Sequence, residues 1–203
     1  MTATNSSYAA FTRTGTPGAP LVFAFHGTGG NEMQFTELVE KMLPDASIVS
    51  PRGDVSEYGA LRFFKRTGEG VYDMDDLAMR TAKMVSFIDE HKAANPGRPV
   101  YALGYSNGAN ILASVLFERP DLFEKAALLH PLIPWQPQAN SGLSAKEILI
   151  TAGQRDPICP LPLTQGLIGY LEAQGAAVEA SIHEGGHEIR QSELQALSTF
   201  LQR

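Results

Sequence analysis

The sequence is poor in cysteine, in charged side chains and in long apolar runs. Cys159 is the single cysteine among 203 residues, which excludes an internal disulfide and any metal site built from several thiolates, and which fits a reducing compartment. No apolar run approaches the ~20 residues that span a bilayer. The 16 Lys and Arg against 22 Asp and Glu give a formal charge of −6. Because there is no basic cluster, we expect no binding to nucleic acid through its phosphates.

The N-terminal segment is not expected to be a signal peptide. It reads MTATNSSYAAFTRTG, with neither the basic start nor the apolar core of a signal peptide. A hydrophobic share of 43% with 19% charged residues indicates a folded chain rather than a disordered one. The length predicts one domain over residues 1–203. We therefore expect a single cytoplasmic domain that does not associate with membranes; a homodimer is compatible with the sequence.

Short apolar runs alternate along the chain with longer segments of helical period. The predicted strands cover residues 21–25, 46–49, 100–103, 126–129, 148–151 and 178–182. Five helices are predicted. The first follows an N-cap at Asn31, the second runs from 73 to about 94, and the third includes Ile111 to Leu116. The fourth runs from 161 to about 173, and the last includes Leu194 to Leu201. Residues 53–72 show no clear period and are predicted to form a long functional loop. The alternation predicts an α/β fold, with a mostly parallel sheet and helices on both faces.

In such sheets ligands bind at the carboxyl ends of the strands, so the residues after each apolar run are the candidates for chemistry. The run at 100–103 is followed by Gly104-Tyr105-Ser106-Asn107-Gly108. This is a G-x-S-x-G sequence between a predicted strand and a predicted helix, the context of a nucleophile elbow. In an elbow, a tight turn presents the serine hydroxyl to a cleft. Ser106 is therefore the predicted nucleophile.

A serine hydroxyl needs a general base, usually a histidine that a carboxylate orients. In this fold the carboxylate follows the serine in the chain, and the histidine comes last. Asp156 follows the run at 148–151 and His187 follows the run at 178–182, so both are expected at the same rim of the sheet as Ser106. The competing candidates are His26, His91, His130 and His183 for the base, and Asp121 and Glu184 for the carboxylate. Two glycines before His187 let its loop cross the cleft, which favours His187 over the other histidines.

The oxyanion of the reaction needs backbone donors. The glycine-rich segment 26–30 follows the first buried strand and lets the backbone approach closely, so the Thr28 N–H is the predicted donor there. The Asn107 N–H, at the start of the helix after the nucleophile, is the predicted second donor. We expect His26 and His130 to order their loops rather than to act as bases.

Two other catalytic arrangements fit the sequence less well. Residues 183–187 read His-Glu-Gly-Gly-His, which matches the H-E-x-x-H zinc motif. That motif works on a helix, and two adjacent glycines cost a helix roughly 2 kcal/mol relative to alanine. Cys159 lies between Ile158 and Pro160, without neighbours that would activate a thiol. We therefore predict no metal, no thiol nucleophile and no cofactor.

Together the motifs resemble the bacterial phospholipase/carboxylesterase family of α/β-hydrolases, which also holds acyl-protein thioesterases. The segments that carry the resemblance span most of the chain and are HGTGGNE at 26–32, SPRGD at 50–54, RFFKR at 62–66, GYSNG at 104–108, GQRDPICP at 153–160 and GGH at 185–187. SPRGD and RFFKR are most similar to the branch linked in some bacteria to quinone stress. The resemblance implies the α/β-hydrolase fold, a triad of Ser106, Asp156 and His187, and an oxyanion hole of Thr28 and Asn107. Acyl-protein thioesterases have Gln at the place of Asn107 and Leu at the place of Thr28, which argues against lipidated protein substrates.

The expected activity is hydrolysis of small or short-chain carboxylic esters through an acyl-serine, with a small molecule as substrate. The interval between Ser106 and Asp156 has no room for a large cap domain, so residues 53–72 and 130–135 must cover the cleft. Phe63, Phe64 and Trp135 are the candidate pocket walls. Lysophospholipase or acyl-thioesterase activity is the alternative within this fold. A non-catalytic binding module is the alternative from another class.

Overall fold

A seven-stranded sheet forms the centre of the molecule. The computed structural model describes residues 8–203, so the expectation about the N-terminal signal falls partly on residues 1–7, outside the described part. The strands are β1 (Ala10–Arg13), β2 (Leu21–Phe25), β3 (Ser47–Pro51), β4 (Val55–Glu57), β5 (Ala60–Arg62), β6 (Arg66–Gly68), β7 (Val71–Tyr72), β8 (Val100–Tyr105), β9 (Lys125–Leu129), β10 (Glu147–Gly153) and β11 (Ala177–His183). The helices are α1 (Thr36–Met42), α2 (Met74–Ala94), α3 (Asn107–Glu118), α4 (Leu161–Ala173) and α5 (Gln191–Gln202).

The main sheet has the strand order β1-β3-β2-β8-β9-β10-β11. All neighbouring strands in it run parallel except β1, which pairs antiparallel with β3 at the edge. Six of its seven strands overlap the predicted ones, with ends that differ by at most two residues, and β1 was not predicted. The predicted mostly parallel α/β sheet is therefore confirmed. Its parallel strands place the carboxyl ends of β8, β10 and β11 at one rim.

The apolar side chains divide between the two faces of the sheet. In β2, Leu21, Phe23 and Phe25 pack into the core on one face, while Val22 and Ala24 pack into the core on the other. Residues of α2, α3 and α4 belong to the first core, and residues of α1 and α5 to the second. Because both faces are covered, the inner strands are continuously apolar, as the sequence pattern indicated.

Two local predictions are wrong. Asn31 does not cap a helix: its side chain accepts a hydrogen bond from the Met33 N–H at 2.8 Å, and α1 begins only at Thr36. Gln34 is also used elsewhere, because its side-chain oxygen accepts from the Gly27 N–H at 2.8 Å. Residues 53–72 are not a structureless loop: β4 pairs with β5, and β6 pairs with β7, in two small antiparallel hairpins outside the main sheet.

Helix length and composition bear on membrane association. Among the described residues 8–203, no helix combines the length and the apolar character needed to cross a bilayer.

Candidate active site

Ser106 occupies a strained turn between β8 and α3. Its backbone has φ 52° and ψ −117°, a region that side-chain-bearing residues rarely adopt. The flanking glycines make room for this turn. A Cβ on Gly104 would lie 2.5 Å from the Gly108 carbonyl oxygen, and a Cβ on Gly108 would lie 2.3 Å from the Phe25 carbonyl oxygen. The G-x-S-x-G sequence is therefore required by packing between β2, β8 and α3.

The structure brings Ser106, His187 and Asp156 together in one hydrogen-bonded series. Ser106 Oγ lies 2.9 Å from His187 Nε2, and His187 Nδ1 lies 2.7 Å from Asp156 Oδ2. The three residues come from the carboxyl ends of β8, β11 and β10, respectively. In the neutral imidazole, Nδ1 donates to the carboxylate, so Nε2 is free to accept from the serine hydroxyl.

The loops that carry Asp156 and His187 hold each other. The Arg155 N–H donates to the Gly185 carbonyl at 2.9 Å, and the Tyr105 hydroxyl donates to the His187 carbonyl at 2.7 Å. A Cβ on Gly153 would lie only 2.0 Å from the Gly186 carbonyl oxygen. The two backbone segments therefore pass too closely for any residue larger than glycine at position 153. These contacts fix the imidazole relative to Ser106 and the carboxylate.

Asp156 is a fully hydrogen-bonded buried carboxylate. Its Oδ1 accepts from the N–H groups of Ile158 at 2.8 Å and Cys159 at 2.9 Å. Its Oδ2 accepts from His187 and also from His130 Nδ1, at 2.9 Å. Burial alone would raise the pKa of this carboxyl, but the hydrogen bonds outweigh burial and lower it. Asp156 is therefore an anion at neutral pH.

His130 lies between two buried carboxylates, which the sequence did not reveal. Its Nδ1 is 2.9 Å from Asp156 Oδ2 and its Nε2 is 2.8 Å from Glu193 Oε1. Only the imidazolium offers an N–H to both acceptors. Burial works against this charged form, but the hydrogen bonds to Glu193 and Asp156 prevail and raise the pKa of His130. The expected loop-ordering role is thus carried out by a buried cation, behind the Asp156 carboxylate.

A second hydrogen-bonded series runs from Asp156 through His130 to Glu193, which lies on α5. Glu193 Oε2 accepts from the Arg190 N–H at 2.7 Å, and its side chain is fully buried. Burial would raise the pKa of Glu193, but its hydrogen bonds, first of all that from His130, lower it. His183 Nε2 lies 2.9 Å from Glu193 Oε2, without the geometry of a hydrogen bond. The sequence held one signal: Glu193 is four residues before the buried Leu197, on the apolar face of α5.

Replacing Glu193 by glutamine should lower the free energy of unfolding by about 3 kcal/mol at neutral pH, because the imidazolium of His130 loses one of its two buried counter-charges. Urea unfolding, followed by circular dichroism, measures this loss. Glu184→Gln is the control, since Glu184 is an exposed glutamate on the neighbouring loop. Equal stabilities of the wild type and the Glu193 variant would contradict the charged series.

The stability difference between wild type and Glu193→Gln should depend on pH, because folding shifts the pKa values of His130 and Glu193. Because the pKa of His130 is raised, its contribution to the free energy of unfolding is fully present below the pKa of the unfolded state, about 6.5. That contribution is lost as the pH rises through the pKa of the folded state. Because the pKa of Glu193 is lowered, its contribution to the free energy of unfolding is present above the pKa of the unfolded state. That contribution is lost as the pH falls through the pKa of the folded state. The stability advantage of the wild type should therefore be largest at intermediate pH. A constant advantage from pH 4 to 9 would contradict this assignment.

Two backbone N–H groups remain available beside Ser106. The N–H groups of Gly27, Gly29 and Gly30 donate to the Gln34 side chain, the Leu61 carbonyl and the Gly27 carbonyl. Within residues 8–203, the Thr28 N–H has no such acceptor. Asn107 is the first residue of α3, where an N–H has no acceptor inside the helix. Both residues line the cavity that holds Ser106.

His26 orders the loop that carries Thr28. Its Nδ1 donates to the Gly27 carbonyl at 2.7 Å, and its Nε2 accepts from the Gly53 N–H at 2.9 Å. This pair of contacts requires the neutral imidazole, and burial lowers the pKa of His26 accordingly. The geometry agrees with the loop-ordering role predicted for His26.

The cavity at Ser106 measures about 300 Å³, and its wall is mixed, with slightly more polar than apolar surface. Besides the residues already described, its lining includes Arg62, Arg66, Glu69, Tyr72, Asn110 and Leu132. The two arginines come from the RFFKR segment, whose predicted significance was its resemblance to the family. Like the contacts of His130 and Glu193, their place at the site was not predicted from the sequence.

The predicted aromatic walls lie elsewhere. Phe63 and Phe64 are fully buried in the core, and Trp135 packs at 6.1 Å from Tyr72 and lines separate grooves. The Phe63 N–H donates to the Asn107 side-chain oxygen at 2.7 Å. This bond holds the segment against the elbow, with the phenyl rings in the core and Arg62 at the cavity. The prediction of these three residues as walls of the Ser106 cavity is therefore corrected.

The alternative sites of the sequence have different surroundings. His183 ends strand β11 and His187 lies in the bend that follows, so the His-Glu-Gly-Gly-His segment does not form the helix that the zinc motif needs. Two groups bring possible ligand atoms within 4.8 Å: His130 with Asp156 and His187, and His130 with His183 and Glu193. Both groups depend on His130, whose ring nitrogens already face carboxylates. Burial raises the pKa of the Cys159 thiol, whose sulfur contacts the His130 carbonyl oxygen at 3.3 Å.

Comparisons with known proteins find two similar hydrolases and a similar protein of unknown function. No protein-family model matches the chain. A Bacillus subtilis (strain 168) protein named as a hydrolase, MhqD, is 40% identical over 178 residues, 86% of this chain and 88% of the relative. The Bacillus cereus carboxylesterase is 35% identical, with a TM-score of 0.91 over 98% of this chain and 95% of its own. The protein Atu2452 of Agrobacterium tumefaciens, of unknown function, is 53% identical, with a TM-score of 0.90 over 96% of each chain.

The fold, the serine turn and the extent of these similarities lead to one assignment. The Bacillus subtilis relative matches 86% of the chain and the Bacillus cereus carboxylesterase matches 98% of it. The chain is therefore an ester hydrolase that belongs to the bacterial phospholipase/carboxylesterase family of α/β-hydrolases.

Proposed function

We propose that the protein hydrolyses small or short-chain carboxylic esters through an acyl-enzyme intermediate on Ser106. The observation that carries the proposal is the unbroken hydrogen-bonded series from Ser106 Oγ through His187 to Asp156, with distances of 2.9 and 2.7 Å. These are the contacts a serine nucleophile needs from its base, and the base from its orienting carboxylate. The single cysteine also favours a cytoplasmic setting for this activity.

In the first half-reaction, Ser106 Oγ attacks the acyl carbon while its proton passes to His187 Nε2. The carbonyl oxygen becomes an oxyanion, and the N–H groups of Thr28 and Asn107 are its donors. Each such donor is worth roughly 3–4 kcal/mol in the transition state. The imidazolium then gives its proton to the alkoxide, which leaves as the alcohol.

In the second half-reaction, a water molecule takes the place of the alcohol. His187 removes its proton, the hydroxide attacks the acyl carbon, and the acid leaves as Ser106 recovers its hydrogen. Asp156 keeps the proton of the neutral imidazole on Nδ1 throughout, because its Oδ2 accepts there at 2.7 Å. The ionised state of Asp156, stabilised by two backbone N–H groups, is what allows this role.

A fluorophosphonate probe tests the nucleophile directly. We expect stoichiometric labelling, with the adduct on Ser106 by peptide mass spectrometry, and loss of p-nitrophenyl acetate hydrolysis in proportion to labelling. Activity should survive a metal chelator, since no step uses a metal. Labelling at another residue, or hydrolysis that persists after complete labelling, would overturn the mechanism. Labelling without any turnover of esters would indicate the non-catalytic binding module instead.

Acyl-chain length tests the proposed substrate class. A cavity of about 300 Å³ whose wall is about half polar has too little apolar surface to bury a long acyl chain, so we expect the end of such a chain to stay in water. Each methylene that is buried contributes about 0.8 kcal/mol, nearly fourfold in kcat/KM. With p-nitrophenyl esters, kcat/KM should therefore level off or fall beyond about four to six acyl carbons, where no further methylene is buried. A fourfold rise per methylene up to about C10 would instead indicate lysophospholipase or long-chain thioesterase activity.

A further inference from the structure

Arg62 places a buried positive charge at the wall of the Ser106 cavity. It ends strand β5, its side chain is 4% exposed, and it lines the same cavity as Ser106, Thr28 and His187. An arginine stays charged even when buried. Burial, followed by repulsion from Arg66, lowers the pKa of Arg62, so this position disfavours the cation unless an anion approaches it.

Only some of the N–H donors of the Arg62 guanidinium have a hydrogen-bond acceptor among the described residues. Its Nη1 donates to Thr28 Oγ1 at 2.8 Å and its Nε donates to the Phe64 carbonyl at 3.3 Å. A guanidinium has five N–H donors. Among the described residues, Nη2 has no hydrogen-bond acceptor. At least two donors of a buried cation are thus left for a ligand in the cavity.

The nearby carboxylates neutralise Arg62 only in part. Glu57 uses both of its oxygens to bind Arg66, at 2.7 to 3.1 Å, and approaches Arg62 Nε only to 3.6 Å. Glu69 also lines the cavity, and no ion pair joins it to Arg62 within residues 8–203. One glutamate is therefore shared between two arginines, and Arg62 has the weaker contact.

The other polar groups of the wall are occupied with each other. The Asn110 side-chain nitrogen donates to the Tyr72 hydroxyl at 2.9 Å, and that hydroxyl donates to the Leu132 carbonyl at 2.7 Å. The Asn110 side-chain oxygen accepts from the Leu132 N–H at 2.6 Å. These satisfied groups do not select a ligand. Spare donors remain on the Arg62 guanidinium and on the Asn107 side-chain nitrogen, which is buried at the same wall without a partner among the described residues. Of these two, Arg62 carries the charge that selects an anion.

We propose that Arg62 is an anion-binding subsite of this esterase, and that the preferred substrates are small esters bearing a carboxylate on either their acid or their alcohol part. The inference rests on the proposed function, because it places the carboxylate in the cavity where Ser106 meets the ester. Arginine suits this role, since its planar donors match the two oxygens of a carboxylate.

Matched pairs of charged and neutral esters test the subsite. The alcohol-side pair is 3-acetoxybenzoate and its methyl ester, assayed by release of the phenol. The acid-side pair is monoethyl glutarate and ethyl methyl glutarate, assayed by release of ethanol. For each pair, the measured quantity is the ratio of kcat/KM for the charged ester to that for the neutral one, in wild type and in Arg62→Met. The pair with the higher wild-type ratio identifies the side that carries the carboxylate.

We expect Arg62→Met to lower that ratio at least tenfold in one pair, about the loss of one charge-assisted hydrogen bond. Glu57→Gln should raise the ratio, because it removes the anion that competes for Arg62. The rise should persist when Arg66→Met is added, since Glu57 also binds Arg66 at the same cavity, and these two variants keep the test open if Arg62→Met does not fold. Arg203→Met, which removes one positive charge at the C-terminus, is the control and should leave the ratio unchanged.

Other outcomes would overturn the subsite. If Arg62→Met slows the charged and the neutral ester equally, Arg62 only supports the Thr28 loop. If neither Arg62→Met nor Glu57→Gln changes the ratio, the guanidinium does not meet the substrate. Failure of the proposed function looks different: wild type would then hydrolyse neither ester of a pair in a Ser106-dependent way.

Discussion

Replacing Ser106 by alanine should lower kcat for ester hydrolysis by about 10⁵- to 10⁶-fold, as in other serine enzymes that lose their nucleophile. The variant has no Oγ to form the acyl-enzyme, while His187, Asp156 and the two backbone donors stay in place. Hydrolysis of p-nitrophenyl acetate, corrected for the rate of a heat-inactivated sample, measures the loss. A residual rate within tenfold of the wild type would show that another group attacks the ester.

A second substitution at Ser106 separates chemistry from backbone strain. Alanine keeps the unfavourable φ of 52°, so Ser106→Ala should retain the wild-type stability. Glycine tolerates this region, so Ser106→Gly should be about 1 kcal/mol more stable than the alanine variant, yet equally inactive. Thermal unfolding of the two variants measures the difference. Equal stabilities would contradict strain at the turn.

Replacing Asp156 by asparagine should lower kcat by up to about 10⁴-fold, as in the serine protease template. An asparagine can turn its NH₂ toward His187 Nδ1, which then carries no proton. Nε2 would carry the proton instead and could not accept one from Ser106. Steady-state hydrolysis of p-nitrophenyl acetate measures the loss.

Two controls make the Asp156 experiment decisive. Glu184→Gln changes an exposed carboxylate three residues before His187 in the chain and should keep full activity. Because Asp156 also accepts from His130, the asparagine variant should lose stability, so its rates need to be measured where circular dichroism shows it folded. Full activity of folded Asp156→Asn would transfer the orienting role to another carboxylate.

The positions of Ser106, Asp156 and His187 could be predicted because each residue lies shortly after a parallel strand. Continuous apolar runs identify the buried strands β8 and β10, alternation identifies the edge strand β11, and a parallel sheet collects their carboxyl ends at one rim. Topology therefore predicts that the three residues are neighbours, and the loop contacts described above set their distances. The structure places the three side chains in the predicted order along the hydrogen-bonded series.

The environment of His130 could not be predicted in the same way. Its two partners, Asp156 and Glu193, are 26 and 63 residues away, and nothing in the local pattern indicates that they converge. The proline after His130 pointed to a loop, which is correct, but not to a buried cation. Position on the apolar face of α5 was the available signal for Glu193, and a glutamate there is easily taken for an exposed one.

The orientation of residues 62–64 could not be predicted from the sequence, for another reason. Strand β5 has only three residues, too few for an alternating pattern to show which side faces the core. The direction is set by the bond from the Phe63 N–H to the Asn107 side chain, a contact between segments 44 residues apart. Aromatic residues in a loop suggested an apolar pocket, whereas the structure gives the cavity its arginines.

The two hairpins of residues 53–72 have a consequence for how this enzyme can evolve. Neither hairpin pairs with the seven-stranded sheet, whereas Ser106, Asp156 and His187 all follow strands of that sheet. Substitutions or length changes in the hairpins can therefore alter which ester is selected without moving the groups that break it. The tolerated changes have a boundary, because the Gly29 N–H donates to the Leu61 carbonyl and the Phe63 N–H donates to Asn107. The Gly53 N–H bond to His26 and the Arg62 bond to Thr28 belong to the same boundary, because they hold the loop that carries Thr28. A graft that kept these four contacts would change the residues at the cavity and leave Ser106, Asp156 and His187 in place.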